Sequence, residues 1–91
     1  MKTQITPEKK IANVLGTCIG EPLTTYSKGS YLEMQFFITT TDGRTIRVYG
    51  FNRTAAAALK NIQEQQRYIL FGKFIASDCF KMSSFKNITA K

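Results

Sequence analysis

The 91-residue chain has no histidine and only six carboxylates. The first absence removes the commonest metal ligand and the usual acid–base group near neutral pH. With the carboxylates few and scattered, no acid–base pair is visible, nor any nucleophile beside a base, so the composition argues for binding rather than catalysis. No metal or cofactor is implied. Cysteine is scarce as well. Cys18 and Cys79 are too few for a disulfide framework and match no zinc spacing. They read as small apolar fillers in a reduced, cytoplasmic protein. No apolar run approaches the roughly 20 residues of a membrane span, and Met1 to Lys10 lacks the apolar stretch of a secretory signal.

What is abundant is positive charge. Thirteen Lys and Arg against six Asp and Glu leave a net charge of +7, a bias toward polyanionic partners for so short a chain. The bases are also unevenly placed. Between Gly43 and Gln63 stand Arg44, Arg47, Arg53 and Lys60 with no acid, whereas a merely solvated surface usually intersperses the two signs. Hydrophobic residues make up 43% of the chain, enough for one small core. A polar, basic arm over residues 1–10 precedes a single domain over residues 11–91.

Hydrophobic periodicity fills in the elements. Ile11 to Ile19 reads as a strand in which Gly16 marks a bulge or bend, with Gly20 and Pro22 closing it. Thr24 to Ser30 reads as a loop. From Tyr31 to Thr41 the chain alternates, with Leu32, Met34, Phe36 and Ile38 on one parity. Asp42-Gly43 predicts a tight turn with positive φ at both positions, leading into a strand from Arg44 to Phe51. Asn52 or Thr54 is placed to cap a helix whose buried face holds Ala55, Ala58, Leu59 and Ile62 and which ends near Gln66. Tyr68 to Ile75 is again a strand, Ala76 to Asp78 a turn, and Cys79 to about Ile88 the last strand, with a bulge near Ser83-Ser84. The order predicts an all-β protein: a five-stranded Greek-key barrel of the OB type, with one helix between the third and fourth strands.

Over residues 11–88 the chain resembles the small OB-fold proteins that bind single-stranded DNA. The resemblance is carried by the Gly-interrupted first strand, by Phe36-Phe37-Ile38 with Asp42-Gly43 and Ile46-Arg47-Val48, and by the strand from Tyr68 to Phe74. It implies a ligand crossing the face of the second and third strands, between the loops at Thr24–Ser30, with Tyr26 and Lys28, and at Ala76–Asp78, near Lys73 and Lys81. The housekeeping members carry a long tail with an acidic tip. Here the chain ends in the basic Asn87–Lys91, so a minimal binder is expected instead of a hub.

Parity reaches the same face independently. If Leu32, Met34, Phe36 and Ile38 with Ile46, Val48 and Gly50 face the core, then Tyr31, Gln35, Phe37, Arg47, Tyr49 and Phe51 face outward. Flat aromatics stack on any base, and a guanidinium can stack or meet phosphate. Phe37, Tyr49, Phe51 and Tyr31 are therefore the expected stacking groups. Arg47, Arg44, Arg53, Lys28 and Lys73 are the expected phosphate contacts, and Gln35 is a candidate for base edges. Glu33 on this face would repel phosphate unless the path skirts it or Arg47 neutralises it. The expected activity is single-stranded DNA binding with little sequence preference, in replication or recombination. The competing readings are an RNA-binding OB module and a protein-contact surface. In the latter, the aromatic face, or Ile69 and Phe71 on the fourth strand, would be covered by a second copy or a replication protein.

Overall fold

The computed structural model describes residues 12–89. The expected arm over residues 1–10 lies outside them. Five strands and one helix follow in order: β1 (Ala12–Lys28), β2 (Tyr31–Thr40), β3 (Thr45–Phe51), α1 (Asn52–Asn61), β4 (Arg67–Ala76) and β5 (Cys79–Asn87). The strands close into a barrel in the spatial order β1-β2-β3-β5-β4, with β4 returning to β1. All neighbours are antiparallel except β3 and β5, which run parallel. This is the OB barrel that the element order predicts, with the helix between the third and fourth strands.

One long strand serves two neighbours. Gly16 and Thr17 pair with Thr40 and Thr39 of β2 on one side and with Tyr68 and Arg67 of β4 on the other. The chain must crowd at that junction, and a Cβ at Gly16 would run into the Thr39 carbonyl. Of the two expectations for Gly16, a bulge or the bend of a strand that passes between two neighbours, the structure supports the second. Gly16 pairs on both sides at a point of close approach, with no break in register there. The register breaks further along, between Ile19 and Leu23, where Gly20 takes φ +70°. Beyond it β1 continues to Lys28, so the expected loop at Thr24–Ser30 is mostly strand. Its β-branched and aromatic residues, Thr24, Thr25 and Tyr26, favour extended backbone once β2 supplies hydrogen bonds. Only Gly29 and Ser30 turn the chain.

The second hairpin matches its alternation closely. Met34, Phe36 and Ile38 of β2 pair with Gly50, Val48 and Ile46 of β3, and all six face the core. The connection is a longer turn than Asp-Gly alone implies. The Gly43 N–H donates to the Thr40 carbonyl at 3.0 Å, and Gly43 has positive φ while Asp42 does not. That is the three-residue hairpin loop with glycine at the left-handed position.

The helix plugs one end of the barrel with Ala55 and Ala58, and Ile62 is buried just beyond it. Neither expected cap is used. Asn52 has φ +54° and its Oδ1 accepts from the Leu32 N–H, while Thr54 Oγ1 donates to the Ser83 carbonyl. The helix also stops at Asn61, five residues short of Gln66, because the chain there is claimed by other partners. The buried Tyr68 phenol accepts from the Gln63 N–H at 2.8 Å and donates to the Asn61 carbonyl at 3.3 Å. Gln65 and Gln66 then exchange backbone hydrogen bonds with Cys18 of β1. In β5 the expected bulge is present: Ser84 pairs with Phe71 and Met82 with Gly72, leaving Ser83 unpaired between them.

Both cysteines are free. Cys18 is buried, but Cys79 is only half-buried and so is no core filler. Their strands are not neighbours in the barrel. Among the described residues, no helix is long and apolar enough to cross a membrane.

Candidate nucleic-acid interface

Because a strand's side chains alternate, the registers that bury one parity of β2 and β3 also fix what stands outside. The outer side chains line up in rows across the strands. One row runs Ile19, Phe37, Arg47, Cys79 over β1, β2, β3 and β5. The next runs Leu23, Gln35, Tyr49, Lys81, Lys73 and crosses all five strands. A third runs Tyr26, Glu33, Phe51, with Tyr31 beside it. Leu23 is 63% exposed, Tyr26 49% and Ile19 45%, values that place apolar groups on the outside without a covering layer among the described residues.

Within the rows the aromatics and bases are already organised. The Arg47 guanidinium carbon lies 5.8 Å from the Phe37 ring centroid, and its Nη1 donates to Tyr49 Oη at 3.1 Å. That hydrogen bond is the main reason its pKa is raised further above its ordinary value. The Lys81 ammonium stands 5.4 Å from the Phe51 ring centroid. The Tyr31 ring lies 6.5 Å from Phe51 at a 34° tilt and 5.8 Å from Tyr26 in an edge-on arrangement. The result is a strip of rings with cations at its margin, the arrangement that stacking on unpaired bases requires.

Lys73 and Lys81 sit directly opposite each other on β4 and β5 and line a cleft of about 290 Å³ with Gly72 and Ser83. Like charges so placed repel, so an anion seated between them would relieve a built-in cost. Lys81 therefore joins the candidate face by register, although the sequence marks it only as lying near a loop. What joins it to Tyr49 is the parallel β3–β5 register, which no local pattern announces. Ile19 and Leu23 are missed for a related reason, since the strand was expected to end at Ile19.

The remaining expected groups divide. Gln35 faces Tyr49 and Leu23 as part of the long row. Lys28 pairs with Tyr31 at the exposed tip of the first hairpin, one end of the aromatic strip. Arg44 is tied to the second hairpin's neighbour, its Nη2 donating to the Ser77 carbonyl at 2.8 Å. With Phe74, Ile75 and Asp78 it lines an open cleft of about 710 Å³ at that end of the barrel. Arg53 stands apart from the rows. It is exposed on the first turn of α1 and borders a cleft with Ser83, Ser84 and Phe85. Nor is Glu33 neutralised by Arg47, which is engaged with Phe37 and Tyr49; Glu33 accepts instead from Tyr31 Oη at 2.5 Å. Among the described residues, no three acidic, histidine or cysteine side chains gather as a metal site would need.

No protein-family model matches the sequence, and no curated protein matches it. Solved structures do match its fold. The SSB domain of a Synechococcus sp. protein superposes with a TM-score of 0.73 at 11% identity, covering 93% of this chain and 98% of that domain. The mitochondrial single-stranded DNA binding protein Rim1 of S. cerevisiae gives 0.71 at 10% identity over 90% of this chain and 97% of its own. The PriB protein of Ralstonia solanacearum gives 0.66 at 13% identity over 85% and 96%. The chain therefore has an OB fold built to the same plan as these proteins.

Proposed function

We propose that this protein binds single-stranded DNA through the outer face of β1, β2 and β3, extended over β5 and β4, and acts by holding the strand without chemical change. The observation that carries the reading is the row Leu23–Gln35–Tyr49–Lys81–Lys73, flanked by the Phe37–Arg47 and Phe51–Lys81 ring–cation pairs. Stacking supplies most of the base contact and is tolerant of sequence, while Arg47, Lys73 and Lys81, with Lys28 and Arg44 at the ends, take the phosphates. A role in keeping exposed strands single during replication or recombination follows from that activity. The matched structures named for single-stranded DNA binding support the same direction.

A second reading has its own observation. Leu15 and Ile69 are cross-strand partners on the outside of β1 and β4, with Phe71 next along. This apolar surface adjoins the rows, since Leu15 shares the outer parity of β1 with Ile19 and Phe71 that of β4 with Lys73, and it suits a protein contact, with a second copy or a replication protein. The two readings use adjoining parts of the barrel's outer face and are compatible where the protein contact leaves Ile19 and Lys73 free.

Fluorescence anisotropy with labelled oligothymidine tests the first. Binding should weaken with salt at about 0.7 log units per phosphate contact, so three to five contacts give a slope of about −2 to −3.5. Duplex DNA of equal length should bind much more weakly, and single-stranded RNA reports the DNA preference. Equal affinity for duplex and single strand would reduce the face to a basic surface and reject the stacking role.

A further inference from the structure

Glu33 is the feature that the binding reading leaves unexplained. It is a half-buried carboxylate on a surface otherwise aromatic and basic, directly opposite Phe51 on one side and Tyr26 on the other. A carboxylate that only repelled phosphate would weaken the site it sits in. Its position matters more than its charge. Beside it the rings of Tyr31 and Phe51 lie 6.5 Å apart at a 34° tilt, and a base stacked on them would turn its edge, not its phosphate, toward the carboxylate. The Lys81 ammonium on the Phe51 ring is placed for the phosphate of the same nucleotide.

The chemistry of the carboxylate then selects among bases. An ionised carboxylate only accepts hydrogen bonds, and it accepts two parallel N–H groups best. Tyr31 Oη donates to Oε2, which leaves Oε1 and the other Oε2 lone pair for a ligand. We propose that Glu33 gives this face a preference for guanine at the base stacked on Phe51 and Tyr31, accepting the guanine N1–H and N2–H in a bidentate pair. Guanine alone presents two adjacent donors on its pairing edge. Adenine and cytosine present one amino donor beside a ring nitrogen that repels the carboxylate. Thymine presents one N–H between two carbonyl oxygens, the worst match. The Tyr31 phenol, a donor at neutral pH as any phenol is, holds the carboxylate in place through its hydrogen bond to Oε2. This assignment rests on the single-strand binding reading and deepens it: the strip is tolerant of sequence except at one position.

The test uses anisotropy titrations of the full chain with two labelled tracts, oligothymidine and the same tract carrying isolated guanosines spaced to prevent quadruplexes. The guanosine tract should bind on the order of tenfold more tightly. Glu33→Gln, which replaces one acceptor oxygen by a donor, should abolish that ratio while oligothymidine affinity stays level or rises. Tyr31→Phe, which keeps the ring and removes the donor that holds the carboxylate, should shrink the ratio toward one. Equal affinities of the parent for the two tracts would overturn the assignment while leaving the binding reading standing. So would a Glu33→Gln variant that gains affinity equally on both tracts, since Glu33 would then act by repulsion alone. Failure of both tracts to bind would overturn the binding reading and this assignment together.

Discussion

Phe37 and Arg47 face each other across β2 and β3, and their removal singly and together separates stacking from charge. Phe37 is half-buried beside Ile19, with the core carried by its neighbours Phe36 and Ile38. Phe37→Ala should therefore leave the fold intact and cost one stacked base, about 1–3 kcal/mol, or about 5- to 150-fold in affinity for oligothymidine. Arg47→Ala should remove one phosphate contact and flatten the salt dependence by about 0.7 log units. The two effects should not add. The guanidinium is held over the Phe37 ring at 5.8 Å, so in Phe37→Ala it has already lost part of its positioning. An exposed ring–cation pair is worth about 0.5–1 kcal/mol, and the double variant should bind more tightly than the sum of the singles predicts by about that amount. Anisotropy titrations of the four proteins give the cycle, and thermal melts by circular dichroism monitor the fold. If Phe37→Ala binds within about twofold of the parent while melting normally, the ring stacks on no base and the assigned face is wrong. If Phe37→Ala fails to fold, the outer and inner parities have been exchanged.

Two further outcomes test the packing. Tyr68→Phe leaves the Gln63 N–H and the Asn61 carbonyl without their shared partner, which should cost about 1–3 kcal/mol and lower the melting temperature by about 4–8 °C per kcal/mol; an unchanged midpoint would remove the phenol from the account of why α1 stops at Asn61. Burial, helped by the Glu64 carboxylate, pushes the Cys18 thiol up from 9.0 to about 11. A disulfide reagent at mildly alkaline pH should then label Cys79 first and Cys18 only through unfolding, and equal rates would contradict its burial. The sign of the linked stability follows: below pH 9.0 the thiol is neutral in both states, and between there and about pH 11 only the unfolded chain ionises, so Cys18 lowers stability as pH rises through that window. Urea midpoints of the parent should fall more steeply there than those of Cys18→Ala.

The parts of the fold legible in the sequence are those governed by neighbours along the chain. Alternation from Tyr31 to Phe51 gives both the second hairpin and its outer residues, because a one-residue slip would expose Met34, Phe36 and Ile38 together. The Ala55, Ala58 and Ile62 spacing gives the helix face, and Ser83-Ser84 gives the bulge in β5. What escaped is set by partners distant in sequence. Thr24 to Lys28 has exposed residues on both parities, so its strand character depends on β2 rather than on any apolar stripe. Gln63 to Gln66 is good helix-forming sequence, yet Tyr68 and Cys18 take its backbone groups. Asn52 has the right side chain for a cap and uses it on Leu32 instead. Lys81 joins the candidate site only through a parallel pairing between strands separated by the helix and β4.

That parallel pairing is also a seam. Arg47, Val48 and Tyr49 meet Cys79, Phe80 and Lys81, and the Arg47 N–H donates to the Asp78 carbonyl at 2.9 Å. The other strand pairings carry longer registers, so opening along this line turns the closed barrel into one open sheet, in the order β3-β2-β1-β4-β5, with little loss inside the remaining pairings. Such opening would also part Tyr49 from Lys81 and break the long row in the middle. On the proposed binding mode, a strand lying along that row would span the seam and hold the cylinder shut, coupling occupancy to closure. Amide exchange at Arg47 and Tyr49 would then report ligand at sites buried beneath it, slowing on binding more than exchange in the β1–β2 hairpin tip.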